Sequence, residues 1–194
     1  MSSENRPYIK AHYEDVVVAG LKKQFGYKNK FEVPAISKVS LNAGVSAHFE
    51  KSVLEETFKN MAMIAGQQPA KTFAKKSIAN FKLREGMPIG CKVTLRGNRM
   101  WDFMFRLIAI SLPAIRDFRG IHDRMDGNGN YSLGIHDITI FPEINVESIK
   151  RQSGLELSIV TTAKTDKEGR ELLKLLGMPF RKHESKEESS ETAA

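Results

Sequence analysis

One cysteine in 194 residues, Cys91, leaves no partner for an internal disulfide and too few thiols for a cysteine-rich zinc site. No apolar run approaches the roughly 20 residues needed to cross a bilayer, so no membrane partner is expected. The opening MSSENRPYIK lacks the basic-then-apolar order of a secretory signal, and the chain is expected to be cytoplasmic. Aromatic residues are few, and no strand-like run carries the aromatic pattern of a single-stranded RNA reader. Also missing are a P-loop, a dinucleotide fingerprint, a serine nucleophile elbow and a Cys/His pair. No internal repeat is visible. What is present is a hydrophobic fraction of 41%, enough for one folded domain with a core.

Charge is the most uneven property of the chain. The net value is +7, but ESKEESSETAA (184–194) carries four glutamates and one lysine, a net −3 that leaves +10 for residues 1–183. This acidic tail has no large apolar residue and is expected to be disordered, with the folded domain ending near 183. Residues 71–99 hold Lys71, Lys75, Lys76, Lys82, Arg84, Lys92, Arg96 and Arg99 against a lone Glu85, a net +7. Like charges packed this densely repel one another unless a polyanion neutralises them, so the segment points to nucleic acid. The alternative is a solvated basic face that keeps the protein in solution.

Hydrophobic periodicity supplies the elements. Residues 10–25 predict a helix with Val17, Val18, Leu21 and Phe25 on one stripe, ended by Gly26. ISKVSLNAGV alternates Val39, Leu41, Ala43 and Val45 inward with Lys38, Ser40 and Asn42 outward, the period of a half-buried strand. A second helix is predicted over 48–65, with Leu54, Phe58, Met61 and Ala65 inward and Gly66 as its stop. Residues 71–97 read as two strands around a long turn. In the second, Ile89, Cys91, Val93 and Leu95 face one way and Lys92, Thr94 and Arg96 the other. Cys91 is therefore expected to be a buried structural thiol. Asn98 is expected to cap a third helix, RMWDFMFRLIAISL, ended by Pro113. A loop over 114–135 precedes two strand-like runs, DITIFPEI and LELSIVTTA. Thr165 to Glu168 form a capping box that opens a last helix, stopped by Gly177. Helices mixed with mostly antiparallel strands in this order predict one α+β domain, a sheet packed against helices with a long basic loop.

Two constellations invite a metal. In DGNGNYSLG, Asp126, Asn128 and Asn130 take positions one, three and five of a calcium loop. Position six is Tyr131 where glycine is needed, and position twelve is the short Asp137; no helical stripe precedes the loop and the strand-like ITIF follows it. The calcium reading fails on these counts, and a tight turn that brings backbone close to a neighbour replaces it. His122, Asp123, His136 and Asp137 form two His-Asp dipeptides that a metal-dependent phosphohydrolase could use. His12, His48 and His183 are scattered, so the further ligands such a site needs are missing. The expectation is no cofactor, no metal and no enzyme.

Six stretches in register carry a resemblance: VSLNAGV, AGQQPAKTFAKKSIANFKLREGMPIGCKVTLRGNRMW, LPAIRDFRGI, DGNGNYSLGI, IFPEI and TTAKTDKEGRELLKLLGMPF. Together, over about residues 8–182, they resemble the bacterial large-subunit ribosomal protein L-five family, whose members bind 5S rRNA in the central protuberance. The resemblance implies an α+β fold and a non-catalytic role in a ribonucleoprotein. Implied partners are 5S rRNA, 23S rRNA, peptidyl-site tRNA, a small-subunit head protein and neighbouring large-subunit proteins. It implies that Asn42, Gln67 and Thr94 meet 5S rRNA on the sheet surface, with Lys38, Lys71, Lys92 and Arg96 beside them. The turn Ala74–Gly86, with Lys75, Lys76, Ser77, Lys82 and Arg84, would contact tRNA as a mobile basic loop. Arg116, Arg119, Asp126, Asn128 and Tyr131 would lie in the region bridging to the small subunit. Ala114 and Asn128 stand where relatives often carry arginine, and Asn80 replaces a common glycine. An RNA-binding module outside the ribosome is the alternative that charge alone allows.

Overall fold

The computed structural model describes residues 7–46, 49, 51–146 and 153–181; the acidic tail lies outside them. The chain opens with α1 (Tyr8–His12), a π-helical turn (Tyr13–Val17) and α2 (Val18–Phe25), which form one continuous rod. Val17 and Leu21 are fully buried and Val18 and Phe25 partly so, as the stripe requires. Gly26, at φ 71°, takes the left-handed conformation that ends the rod.

Strand β1 (Ile36–Gly44) follows, then α3 (Lys51–Ala65), β2 (Ala70–Phe73), β3 (Pro88–Leu95) and α4 (Gly97–Arg106). A π-helical turn, Leu107–Ser111, extends α4 before the chain reaches β4 (Tyr131–Ile135), β5 (Leu155–Thr161) and α5 (Asp166–Leu175). The five strands make one antiparallel sheet in the order β2-β3-β1-β5-β4. Val39, Leu41, Ala43, Cys91, Val93, Leu95, Tyr131, Leu155, Leu157 and Ile159 point to one face and are buried with Phe103, Met104, Leu107, Leu172 and Leu173 of the helices. Burying each large apolar side chain is worth about 1.5–3 kcal/mol. All helices therefore collect on this face, and the other face of the sheet has no helical layer among the described residues. The expected α+β domain with helices against an antiparallel sheet is the fold observed.

The structure corrects several local readings. DITIFPEI is not a strand: Asp137 accepts the Thr139 N–H at 2.9 Å and winds Ile138–Ile140 into a 3₁₀ turn. The strand in this region is instead YSLGI, inside the stretch expected to be loop, where Tyr131 and Ile135 are buried and Ser132 and Gly134 exposed. Asn98 does not cap α4; the chain enters that helix through Gly97, at φ 60°, with Arg96 extended before it. The capping box stands as expected: Thr165 Oγ1 accepts from Glu168 N, and Glu168 Oε2 accepts from Thr165 N. Glu168 also accepts the Tyr27 hydroxyl at 2.7 Å, which ties α5 to the segment after α2. Partial burial opposes ionisation of Glu168, but its several donors outweigh that and lower its pKa.

Candidate nucleic-acid interface

Strand pairing assembles the exposed face row by row. Asn42 on β1 sits between Lys92 of β3 and Glu156 of β5; Lys92 in turn pairs with Ala70, and Glu156 with Gly134. The next row runs Thr94, Ser40, Ser158, Ser132, and beyond it Lys38 pairs with Val160. Paired residues point to the same side of a sheet, so Lys38, Asn42, Lys92 and Thr94 share one surface, with Arg96 at its rim. Every side chain in these rows except the two lysines and Glu156 is small, and none is aromatic. The Asn42 amide donates to Glu156 Oε2 at 3.0 Å, and the Ser132 and Ser158 hydroxyls lie 3.2 Å apart. Five strands about 4.8 Å apart make a platform on the order of 20 Å wide. Ser40, Ser132 and Ser158 belong to it but were not among the expected site residues. The alternation of LELSIVT placed Ser158 outward; YSLGI was hidden by the loop reading.

Two expected members stand apart from these rows. Gln67 precedes β2, partly buried, and its Oε1 lies 3.5 Å from Arg99 at the start of α4. Lys71 pairs in register with Cys91, which puts it on the helical side, where its ammonium lies 5.6 Å from the Phe58 ring centre. Lys71 does not join the Lys92–Thr94 surface. Cys91 itself is buried, as expected, and burial pushes its thiol up to about 11.

The basic loop between β2 and β3 is not an open strap. Ala74 and Met87 are joined at its base (N···O 2.9 Å), Gly86 N donates to Ala74 O, and Ile78 and Leu83 exchange backbone hydrogen bonds near its tip. The Ser77 hydroxyl accepts from Glu85 N at 2.9 Å, so it braces the loop from within. Lys75, Lys76, Lys82 and Arg84 are all exposed, and no described carboxylate pairs with them. Asn80 lies in a 3₁₀ turn with ordinary negative φ, so the position does not demand glycine here.

The 114–131 region divides in two. Arg116, Arg119 and Asn128 are exposed. Tyr131 is fully buried: its hydroxyl donates to His122 O at 2.6 Å and its ring meets Phe180 edge-on, so it is a core residue and not a contact. Burial and the nearby Asp123 charge raise its pKa to about 12. The Asp126 carboxylate takes the Asn130 side-chain amide (2.7 Å) and the backbone N–H groups of Asn128 (2.8 Å) and Asn130 (2.9 Å), which also lower its pKa. Asp126 thus builds a turn. That turn is clamped to α5, because Asp166 accepts from Gly127 N and Gly129 N and the Thr161 hydroxyl donates to Gly129 O. The His-Asp dipeptides serve separate ends: Asp123 pairs with Arg170 at 2.7 Å, and Asp137 caps its own turn. Among the described residues no three candidate ligands gather for a metal.

Comparison with known proteins agrees with this geometry. Residues 29–84 match the family described as ribosomal protein L5, and residues 88–180 match the description of that ribosomal family's C-terminus. The junction of the two falls inside the basic loop, although β2 and β3 pair across it. The large ribosomal subunit protein uL5 of Desulforapulum autotrophicum is 56% identical over 175 residues, covering 89% of this chain and 98% of its own. That of Rhodopirellula baltica is 49% identical over 96% of each chain. That of Nitratidesulfovibrio vulgaris strain Miyazaki F is 55% identical, covering 88% and 96%.

Proposed function

The chain belongs to the ribosomal protein L5 family and is a non-enzymatic, structural constituent of the large ribosomal subunit; from that premise we propose that it holds 5S rRNA against the open face of its sheet. The observation that carries this reading is the placement of Lys38, Asn42, Lys92 and Thr94 in adjacent rows of an uncovered surface. A-form RNA offers a wide, shallow minor groove lined by 2′-hydroxyls, and a flat platform of serines, threonine and asparagine can approach it closely. Lys38, Lys92 and Arg96 would neutralise phosphates at the margins, and Gln67 with Arg99 would extend the contact past the end of β3.

Two further contacts complete the proposal. The closed loop with Lys75, Lys76, Lys82 and Arg84 reaches peptidyl-site tRNA, using backbone charge that is the same for every tRNA sequence. Arg116 and Arg119, with Asn128 on the clamped turn, face the bridge to a small-subunit head protein, with 23S rRNA and neighbouring large-subunit proteins around the rest. The test is sedimentation of a tagged full-length chain through a gradient. Co-migration with large subunits, and release of 5S rRNA together with the protein at high salt, is the expected result. Release of the protein with 5S rRNA left behind on the subunit would overturn the sheet assignment.

A further inference from the structure

Two large apolar side chains at the tip of the basic loop stand in water. Phe81 is 62% exposed and Ile78 is 43% exposed, and neither belongs to the core or to the charged set already described. The loop does not leave them outside for lack of order. Ile78 N donates to Leu83 O and Leu83 N to Ile78 O, and Phe81 N and Lys82 N donate back to Ile78 O and Ala79 O. The tip is therefore a six-residue closed turn with Ala79–Phe81 as its 3₁₀ apex. Lys82 closes it in the left-handed conformation, at φ 49°, which a side chain other than glycine or asparagine seldom adopts. Outliers of this kind persist where the surrounding structure imposes them and gather at binding sites.

We propose that Phe81 is a stacking platform for an exposed base plane of the RNA this loop meets, so that the loop recognises the end of a base stack as well as phosphate charge. The inference rests on the RNA-binding reading and names the chemistry of one contact within it. An aromatic ring held rigidly in the open has already given up the freedom that binding would otherwise remove. Lys82 adjoins the ring in sequence, and Lys75, Lys76 and Arg84 lie on the same loop with only Glu85 opposing them. A ring beside cations matches a nucleotide, which offers a flat apolar face and an anionic backbone a few ångströms apart. A protein partner would more often supply carboxylates for the cations and an apolar pocket for the ring. Ile78, on the same closed turn, would widen the platform.

Ribosomes reconstituted with full-length Phe81→Leu, Phe81→Trp and Lys82→Gln chains, binding a deacylated tRNA across a salt series, test this. Phe81→Leu should weaken binding about tenfold, within the range of one lost base-aromatic stack, without changing the slope of log affinity against log salt. Phe81→Trp should bind as wild type. Lys82→Gln should lower the slope by roughly 0.7–0.9, as loss of one phosphate contact does. Wild-type affinity in Phe81→Leu with weakened Lys82→Gln would overturn the stack and leave the tRNA reading intact. No effect of either would sink the tRNA contact of the loop, and the stack with it. If Phe81→Leu loosened the protein from the subunit but not the tRNA, the tip would be a protein contact and the proposal would be wrong.

Discussion

Replacing Gly169 by alanine sets helix propensity against packing. Within α5 alanine is favoured over glycine by about 1 kcal/mol. The added methyl, however, would lie 2.5 Å from Gly129 O, 2.7 Å from Met125 Cε and 3.0 Å from Gly129 C. Met125 can swing aside; the Gly129 carbonyl cannot, because it accepts the Thr161 hydroxyl at 2.8 Å while Gly129 N donates to Asp166 at 2.9 Å. Moving that peptide far enough to relieve the clash gives up both bonds, about 1 kcal/mol for the neutral one and roughly 2 kcal/mol for the one to the carboxylate. The balance is a loss of about 2 kcal/mol, or a fall in Tm of roughly 4–8 °C for a chain of this size. Thermal unfolding followed by circular dichroism, with urea titration as a check, reads it directly. A Gly169→Ala protein as stable as wild type, or more stable, would show that the glycine-rich turn is not clamped to α5, and the explanation of DGNGN would fall with it.

Further outcomes follow from the same structure. Cys91 should resist a thiol-specific reagent at pH 8 in the native state and react only on unfolding. Because its thiol titrates near 11 when folded against an ordinary 9, the unfolded chain loses its proton first. Stability should therefore decline as pH rises through that window, as urea titrations at pH 8 and pH 10 would record. Millimolar calcium should leave Tm unchanged, since the Asp126 carboxylate already serves Asn128 and Asn130; a rise in Tm that chelator reverses would revive the metal reading.

Much of the fold was legible because it rests on local pattern. β1, β3 and β5 alternate cleanly over seven to nine residues, and α5 announces both its start and its stop. What failed depended on single side chains competing with the pattern. Asp137 turned an alternating apolar run into a 3₁₀ turn by capping it, which propensity alone does not register. YSLGI alternates as well as any strand, but its short length, its glycine and the turn residues before it concealed it. At the site, alternation chose the correct face for Lys92 and Thr94, whereas Lys71 needed the pairing register, which no single strand reveals. Tyr131 was assigned to a surface because its neighbours are polar; only tertiary packing shows the hydroxyl satisfied inside by His122. The exposure of Phe81 could not be read at all, since an aromatic in a sequence is expected to be buried.

The most direct test of the central claim compares two substitutions that add one negative charge each, Thr94→Glu on the open face of the sheet and Gln24→Glu on the exposed side of α2. Affinity of the full-length proteins for 5S rRNA, measured by filter binding at several salt concentrations, should fall by at least tenfold for Thr94→Glu, most at low salt, and remain near wild type for Gln24→Glu. Equal losses, or a loss confined to Gln24→Glu, would mean that RNA does not lie on this face.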